Sequence, residues 1–242
     1  MLGSNMHITI LGLGPSLDDY VYHVKCLGGR SAYCDEVWGI NAVGDVLACD
    51  RIIHMDDVRV QERRAEARPQ SNIANMVKWL RKTSVPVYTC HVEPGFASLV
   101  EYPLNDVIGN LGECYFNGTA AYAIALAIHD GATKISIFGC DYSYEHSHHA
   151  ERGRACVEFW IGIAKHRGIE IALPRNTSLL DAYEGDQALF YGYSDGHVMT
   201  LETKDGKLVA SSEAKALPTA DDVEEKYNHS RPTSKHVEKG IT

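Results

Sequence analysis

The sequence has no C-x-x-C pair, no unbroken apolar run of about 18 residues, and no surplus of basic side chains. Each absence removes a class of function. Seven cysteines (26, 34, 49, 90, 114, 140 and 156) lie scattered, which fits neither a disulfide framework nor a zinc-binding knuckle. Cys90, Cys114 and Cys140 sit in or beside apolar runs and read as small buried hydrophobes, and free thiols at this density point to a reducing cytosol. No segment reads as a signal peptide or a bilayer span. The net charge of -9 opposes broad binding to a phosphate backbone and makes nucleic acid a poor partner. A local cluster over residues 51 to 82 (Arg51, Arg59, Arg63, Arg64, Arg68, Lys78, Arg81, Lys82) reads for most of its members as a solvated helix face.

What is present is an ordinary globular composition, 45% hydrophobic and 23% charged over 242 residues. The opening MLGSN reads as a vector remnant, with Met6 as the natural start. Short apolar strands are expected at 7–13, 35–41, 51–57, 85–90, 134–139 and 169–174, with a short extended piece at 113–116. Helices are expected after Ser16, over 58–82 with a break at Pro69, over Thr119–His129 with Gly131 as its cap, and over 150–167 stopped by Gly168. Residues 93–112 read as loop. The order is mainly strand, helix, strand, so the fold class is α/β: a Rossmann-like, open, mainly parallel sheet with helices on both faces. This domain is expected over residues 6–185. A hairpin around Asp205-Gly206 forms an appendage over 186–217, and the charged tail at 218–242 reads as disordered.

In such a sheet ligands bind beyond the carboxyl ends of the strands, and the polar residues of this chain gather at those ends. GLGPSL offers Gly12, Gly14, Pro15 and Ser16 ahead of a helix, a turn suited to an anion. The third glycine of a dinucleotide fingerprint is missing, which argues against NAD. Asn41 ends WGIN with an amide able to read a base or a sugar hydroxyl. Asp56 and Asp57 could bind Mg²⁺ or cap the next helix. Asn117, Gly118 and Thr119 form a second helix start, Thr119 being either a cap or a phosphate donor. Asp141 and Tyr142 follow the strand expected at 134–139, and Tyr142 and Tyr144 share one face. In EHSHHAERGR, His146, His148 and His149 lack a carboxylate or cysteine at helical ligand spacing, so a single histidine acting as general base is the better reading than zinc.

GLGPSL, WGIN, CDRIIHMDD and NGTAAYAIALAIHDGATKISIFGCDYSY…HHA, in that order over residues 7 to 180, resemble the domain shared by flagellar motility accessory factors and archaeal 6-hydroxymethylpterin diphosphokinases. The same order is similar to the small bacterial sialyltransferases with a single Rossmann-like domain. The sialyltransferase likeness implies that Gly14, Ser16, Asn41 and Thr119 hold a cytidine nucleotide and that His149 or a neighbour is the base. Those enzymes carry Asn between the glycines of the turn, where this chain has Leu13. The diphosphokinase likeness implies ATP, with Asp56 or Asp57 toward metal. The expected activity is therefore a cytoplasmic transferase that uses a nucleotide-activated donor, glycosyltransferase-like, with His149 and Asp141 as catalytic candidates. Gly12, Gly14, Pro15, Ser16, Asn41, Asp56, Asn117, Gly118, Thr119 and Tyr142 are its nucleotide-binding candidates. No cofactor is required for that chemistry; the acceptor is a small molecule or glycan, and a homo-oligomer is left open. The alternatives are Mg²⁺-dependent pyrophosphoryl transfer from ATP, and a non-catalytic nucleotide-binding or assembly protein.

Overall fold

The computed structural model describes residues 5–143, 147–184, 197–205, 207–214 and 219–222. The chain divides into two compact units, Met1–Leu189 and Phe190–Thr242. The first holds a seven-stranded sheet whose strand order is β5-β4-β3-β2-β1-β6-β7, with every pairing parallel. Its strands are β1 (His7–Leu11), β2 (Glu36–Ile40), β3 (Arg51–Ile53), β4 (Val87–Thr89), β5 (Leu99–Glu101), β6 (Lys134–Phe138) and β7 (Glu170–Ala172). From β1 the chain steps outward through β2 to β5. It then returns past β1 to lay β6 on the other side, which makes the β1–β6 junction the topological switch point.

Strand alternation sends side chains to two helical layers. Ile8, Ile10, Trp38, Ile53, Ile135 and Ile137 join one buried cluster with α5 (Thr119–His129) and α6 (Ser147–His166). Val37, Ile52 and Val87 join the other, with α1 (Leu17–Leu27) and α3 (Asn72–Leu80). The break expected at Pro69 separates α2 (Val58–Ala67) from α3. α5 is buried along nearly its whole length, so its alanines bring its backbone close to the sheet. Gly131 follows it at φ 85, and Ala132 N–H returns to the Ala127 carbonyl at 3.0 Å, a Schellman closure.

One expected element differs. Residues 93–112 are not all loop: they contain β5 and α4 (Leu104–Leu111). β5 has only three residues, and Asn105, Asp106 and Gly109 dilute the helical signal of α4, although Val107 and Leu111 are buried. The short piece expected at 113–116 lies between α4 and α5 without pairing to a strand. The Tyr115 carbonyl instead accepts from Trp160 Nε1 at 2.7 Å, and Phe116 stacks between Tyr122 and Trp160 at 4.3 and 5.0 Å, so the segment is docked on α6. Arg51, of the basic cluster, opens β3 within the expected strand 51–57, stacks on Trp38 at 4.7 Å and pairs with Glu36 and Asp130.

In the second unit β8 (His197–Lys204) and β9 (Lys207–Ala214) pair antiparallel about Asp205, which has φ 53. Within the expected tail, Thr219 and Asp222 bond reciprocally, N–H to Oδ2 at 2.9 Å and N–H to Oγ1 at 3.2 Å, as at a helix start. Residues 223–242 lie outside the described residues. Among the described residues no helix is long and apolar enough to cross a membrane.

Candidate nucleotide site at the switch point

The loop after β1 and the loop after β6 cross in direct backbone contact. Gly12 N–H donates to the Phe138 carbonyl and Gly14 N–H to the Gly139 carbonyl, each at 2.8 Å. A Cβ on Gly12 would strike the Gly139 carbonyl, and one on Gly14 would strike Asp141 Oδ2. Gly139 is itself left-handed at φ 69 and faces Gly12 backbone atoms. The glycines of the turn therefore serve the crossing of two loops, and Gly12 and Gly14 also line a cavity.

Ser16 and Asp141 fasten this crossing across 125 residues of sequence. Ser16 N–H donates to Asp141 Oδ2 at 2.8 Å and Ser16 Oγ donates to Oδ1 at 2.5 Å, while Oγ accepts from Gly139 N–H at 2.7 Å. Both residues are buried, Ser16 at 0% and Asp141 at 4% exposure. The expectation that Ser16 caps α1 through its side chain is thus corrected: its hydroxyl is turned toward Asp141. The anion at the α1 N-terminus is the Asp141 carboxylate itself, a charge favoured there by the helix dipole and the Ser16 N–H. The amides of Leu17, Asp18 and Asp19 are taken by the carbonyls of Gly14, Pro15 and Ser16. α1 therefore does not offer the phosphate cradle read from GLGPSL.

The α5 terminus is different. Its N-cap is Gly118, extended at φ -179 and without a side-chain cap. The Thr119 and Ala120 amides open the helix without intrahelical acceptors. A Cβ on Gly118 would meet open space. Thr119 is the first helical residue, not the cap. The preceding Asn117 is tied to α6: its N–H donates to Cys156 Sγ at 3.2 Å, and Arg152 reaches its side-chain oxygen at 3.5 Å.

A cavity of about 600 Å³ opens here. Gly12, Leu13, Gly14 and Pro15 line one side, Ile40 and Asn41 a second, Asn117 to Ala120 a third, and Gly139 to Ser143 with His149 and Gly153 a fourth. Of the expected groups, those after β1, β2 and β6 and at the start of α5 converge. Asp56 and Asp57 do not line the cavity. They follow β3, two strands from β1, roughly 10 Å across the sheet. Asp57 caps α2 by accepting Arg59 N–H at 2.9 Å, and the Arg59 guanidinium holds its carboxyl down at about 2. The pair therefore does not fit a Mg²⁺–ATP site in this cavity, and among the described residues no three His, Cys, Asp or Glu side chains group to hold a metal.

Among the described residues the lining contains no Lys or Arg, and its one carboxylate is the engaged Asp141. Asn41 stands in the left-handed region at φ 52, and its Oδ1 is buried with no hydrogen-bond partner, an acceptor that calls for a donor. Cys140 lines the cavity, but burial pushes its thiol up to about 12, so it stays protonated near neutrality. His149 is exposed in the first turns of α6. Tyr144, His146 and the side chain of His148 lie outside the described residues. Sequence reading missed Leu13, Ile40, Ala120, Gly139, Cys140, Ser143 and Gly153 as lining residues. Leu13 and Cys140 sit inside the motifs already singled out, whereas only a glycine in mid-helix marks Gly153.

No family model and no curated protein matches this chain. Solved structures of sialyltransferase CstII resemble it in course. The enzyme from Campylobacter jejuni in complex with CMP-3FNeuAc shares 13% identity at a TM-score of 0.46, covering 92% of this chain and 99% of that one. The same enzyme with cytidine-5'-monophosphate gives 15% and 0.43 over 92% and 99%. A complex of CstII with a trisaccharide acceptor and CMP gives 13% and 0.43 over 92% and 98%. Identities of 13 to 15% and TM-scores below 0.5 leave the reading of the site to its own residues.

Proposed function

We propose that this chain is a transferase that binds a nucleotide-activated donor, a nucleotide sugar, in the cavity at the β1–β6 junction. The observation that carries the reading is the open α5 N-terminus in a cavity whose described lining holds no Lys or Arg. Backbone amides and a helix dipole suit a phosphate of low charge, whereas a triphosphate calls for cationic side chains or a metal. Asn41 supplies an acceptor for a base or sugar donor group.

In this reading His149 takes the proton of the acceptor hydroxyl as its oxygen attacks the anomeric carbon. The bond from that carbon to the phosphate oxygen breaks, and the released charge falls on the Thr119 and Ala120 amides. Asp141 does not touch the reacting atoms. It is a positioning residue that locks the loop after β6 against the loop after β1.

The test is a thermal-shift screen of CMP, CDP, UDP, GDP, ADP, ATP and NAD, with and without Mg²⁺. A native-state ligand at 100 times its Kd stabilises by about 2.7 kcal/mol. A nucleoside mono- or diphosphate should shift the wild type without metal, and Gly118→Val should abolish the shift by filling the space before α5. No shift with any nucleotide contradicts the reading. His149→Ala should keep the shift but lose roughly 10²-fold or more in turnover once an acceptor is in hand.

A further inference from the structure

Helix α6 carries a glycine in its interior, at position 153 of Ser147–His166. A glycine there costs helix stability relative to alanine, and its φ is not one that only glycine adopts. Space explains it. A Cβ at 153 would land on Cε1 of the Tyr142 ring, with Cδ1 at 2.9 Å and Cζ at 3.2 Å. Gly162 of the same helix is the contrast: a Cβ there would meet nothing within 4 Å.

Tyr142 is held from both ends. Its backbone is left-handed at φ 50, an unusual state for a tyrosine. It follows Asp141, whose carboxylate is held by Ser16 and whose carbonyl accepts from Ser178 Oγ at 2.6 Å. Its ring lies against the notch in α6. Tyr142 and Gly153 both line the nucleotide cavity, and His149 stands one helical turn before Gly153 on the same face. Because the ring cannot retreat into a filled notch, any side chain at 153 must move it toward the cavity or turn α6 away, and His149 with it.

We propose that Gly153 is a positioning residue: its missing side chain seats the Tyr142 ring and thereby fixes the cavity wall between the α5 amides and His149. The proposal rests on the nucleotide reading of the cavity for its functional half, and on packing alone for its structural half. The two halves separate in one experiment on the full chain.

Gly153→Ala, Gly162→Ala, Tyr142→Ala and the Gly153→Ala/Tyr142→Ala double variant are compared by melting temperature. Their affinity is measured by calorimetry for CMP or whichever nucleotide shifts the wild type most. Gly162→Ala should raise the melting temperature and leave affinity unchanged. Gly153→Ala should lower the melting temperature and weaken nucleotide binding by roughly tenfold or more. In the Tyr142→Ala background the same change should raise the melting temperature, because only the helix gain remains, and should cost no further affinity. Tyr142→Leu replaces Tyr142→Ala if the latter does not fold. The proposal is overturned if Gly153→Ala behaves like Gly162→Ala, or if it lowers stability with the sign reversal yet binds nucleotide as the wild type does. If the wild type binds no nucleotide, the positioning role falls with the functional reading, and the sign reversal still decides whether Tyr142 occupies the notch.

Discussion

The two halves of the sheet's carboxyl edge end in similar residue types and do different things with them. Beyond β1 and β6, glycines let two loops touch, Ser16 and Asp141 fasten the contact, and the open amides of α5 face a cavity. Beyond β3 and β4, Asp57 and His54 turn on a neighbour or into the core, while His91, Glu101, Asn105 and Asp106 line a second cavity of about 590 Å³. Asp57 caps α2 and pairs with Arg59, which also pairs with Glu93. His54 and Thr89 are fully buried, with both His54 ring nitrogens and Thr89 Oγ1 lacking partners. A polar strand end is therefore not a site in itself. The β1–β6 cavity lies where the chain reverses its order across the sheet.

Asp141 should show the largest effect. Asp141→Ala strips two charge-assisted bonds and leaves Ser16 donors buried without acceptors, at a cost of about 3 kcal/mol. Urea unfolding should register that loss, and nucleotide binding should fall with it. Ser16→Ala comes next. It leaves Gly139 N–H unbonded but keeps the backbone donor to Asp141, so about 1–2 kcal/mol is expected. A Ser16→Ala protein as stable as the wild type would contradict the fastening.

The third effect lies on the other half of the edge. Burial lowers the His54 pKa, with Asp56 the charged neighbour that partly opposes it. The unfolded chain therefore takes up a proton near pH 6.5 while the native chain does not, so stability falls as pH drops below that value, toward the lowered folded pKa. Its steepest slope is about 1.4 kcal/mol per pH unit for this one group. His7, also lowered by burial, adds a change of the same sign. His54→Leu should flatten the acid limb of a stability–pH curve without weakening nucleotide binding; an unchanged limb would remove His54 from the account. Smallest is Asp57→Ala, which loses a cap on an exposed helix start. A small drop in melting temperature is expected, with nucleotide affinity unchanged in the presence and absence of Mg²⁺. Lost affinity would move the site toward β3.

Much of this fold was legible because its strands are apolar and its helices carry their stops, as at Gly131 and Gly168. The short β5 and α4 were not, since three residues beside Pro103 and a helix with Asn105, Asp106 and Gly109 leave little periodic signal. Of the site, the positions of Asn41, Gly118, Thr119, Tyr142 and His149 could be named from the sequence as strand or helix ends. The Ser16–Asp141 bond could not, because it joins residues 125 apart and depends on β6 lying beside β1. For the same reason Asp56 and Asp57 looked equivalent to the other polar ends: strand order is not written in the strands themselves.

Amide hydrogen exchange with and without the nucleotide that most raises the melting temperature tests the central claim most directly. Protection should rise at Gly118–Ala120 and around Asn41 and Tyr142, with residues 54–57 and 90–106 unchanged. Protection at 54–57 instead, or none at Gly118–Ala120, would contradict a nucleotide site at the β1–β6 junction.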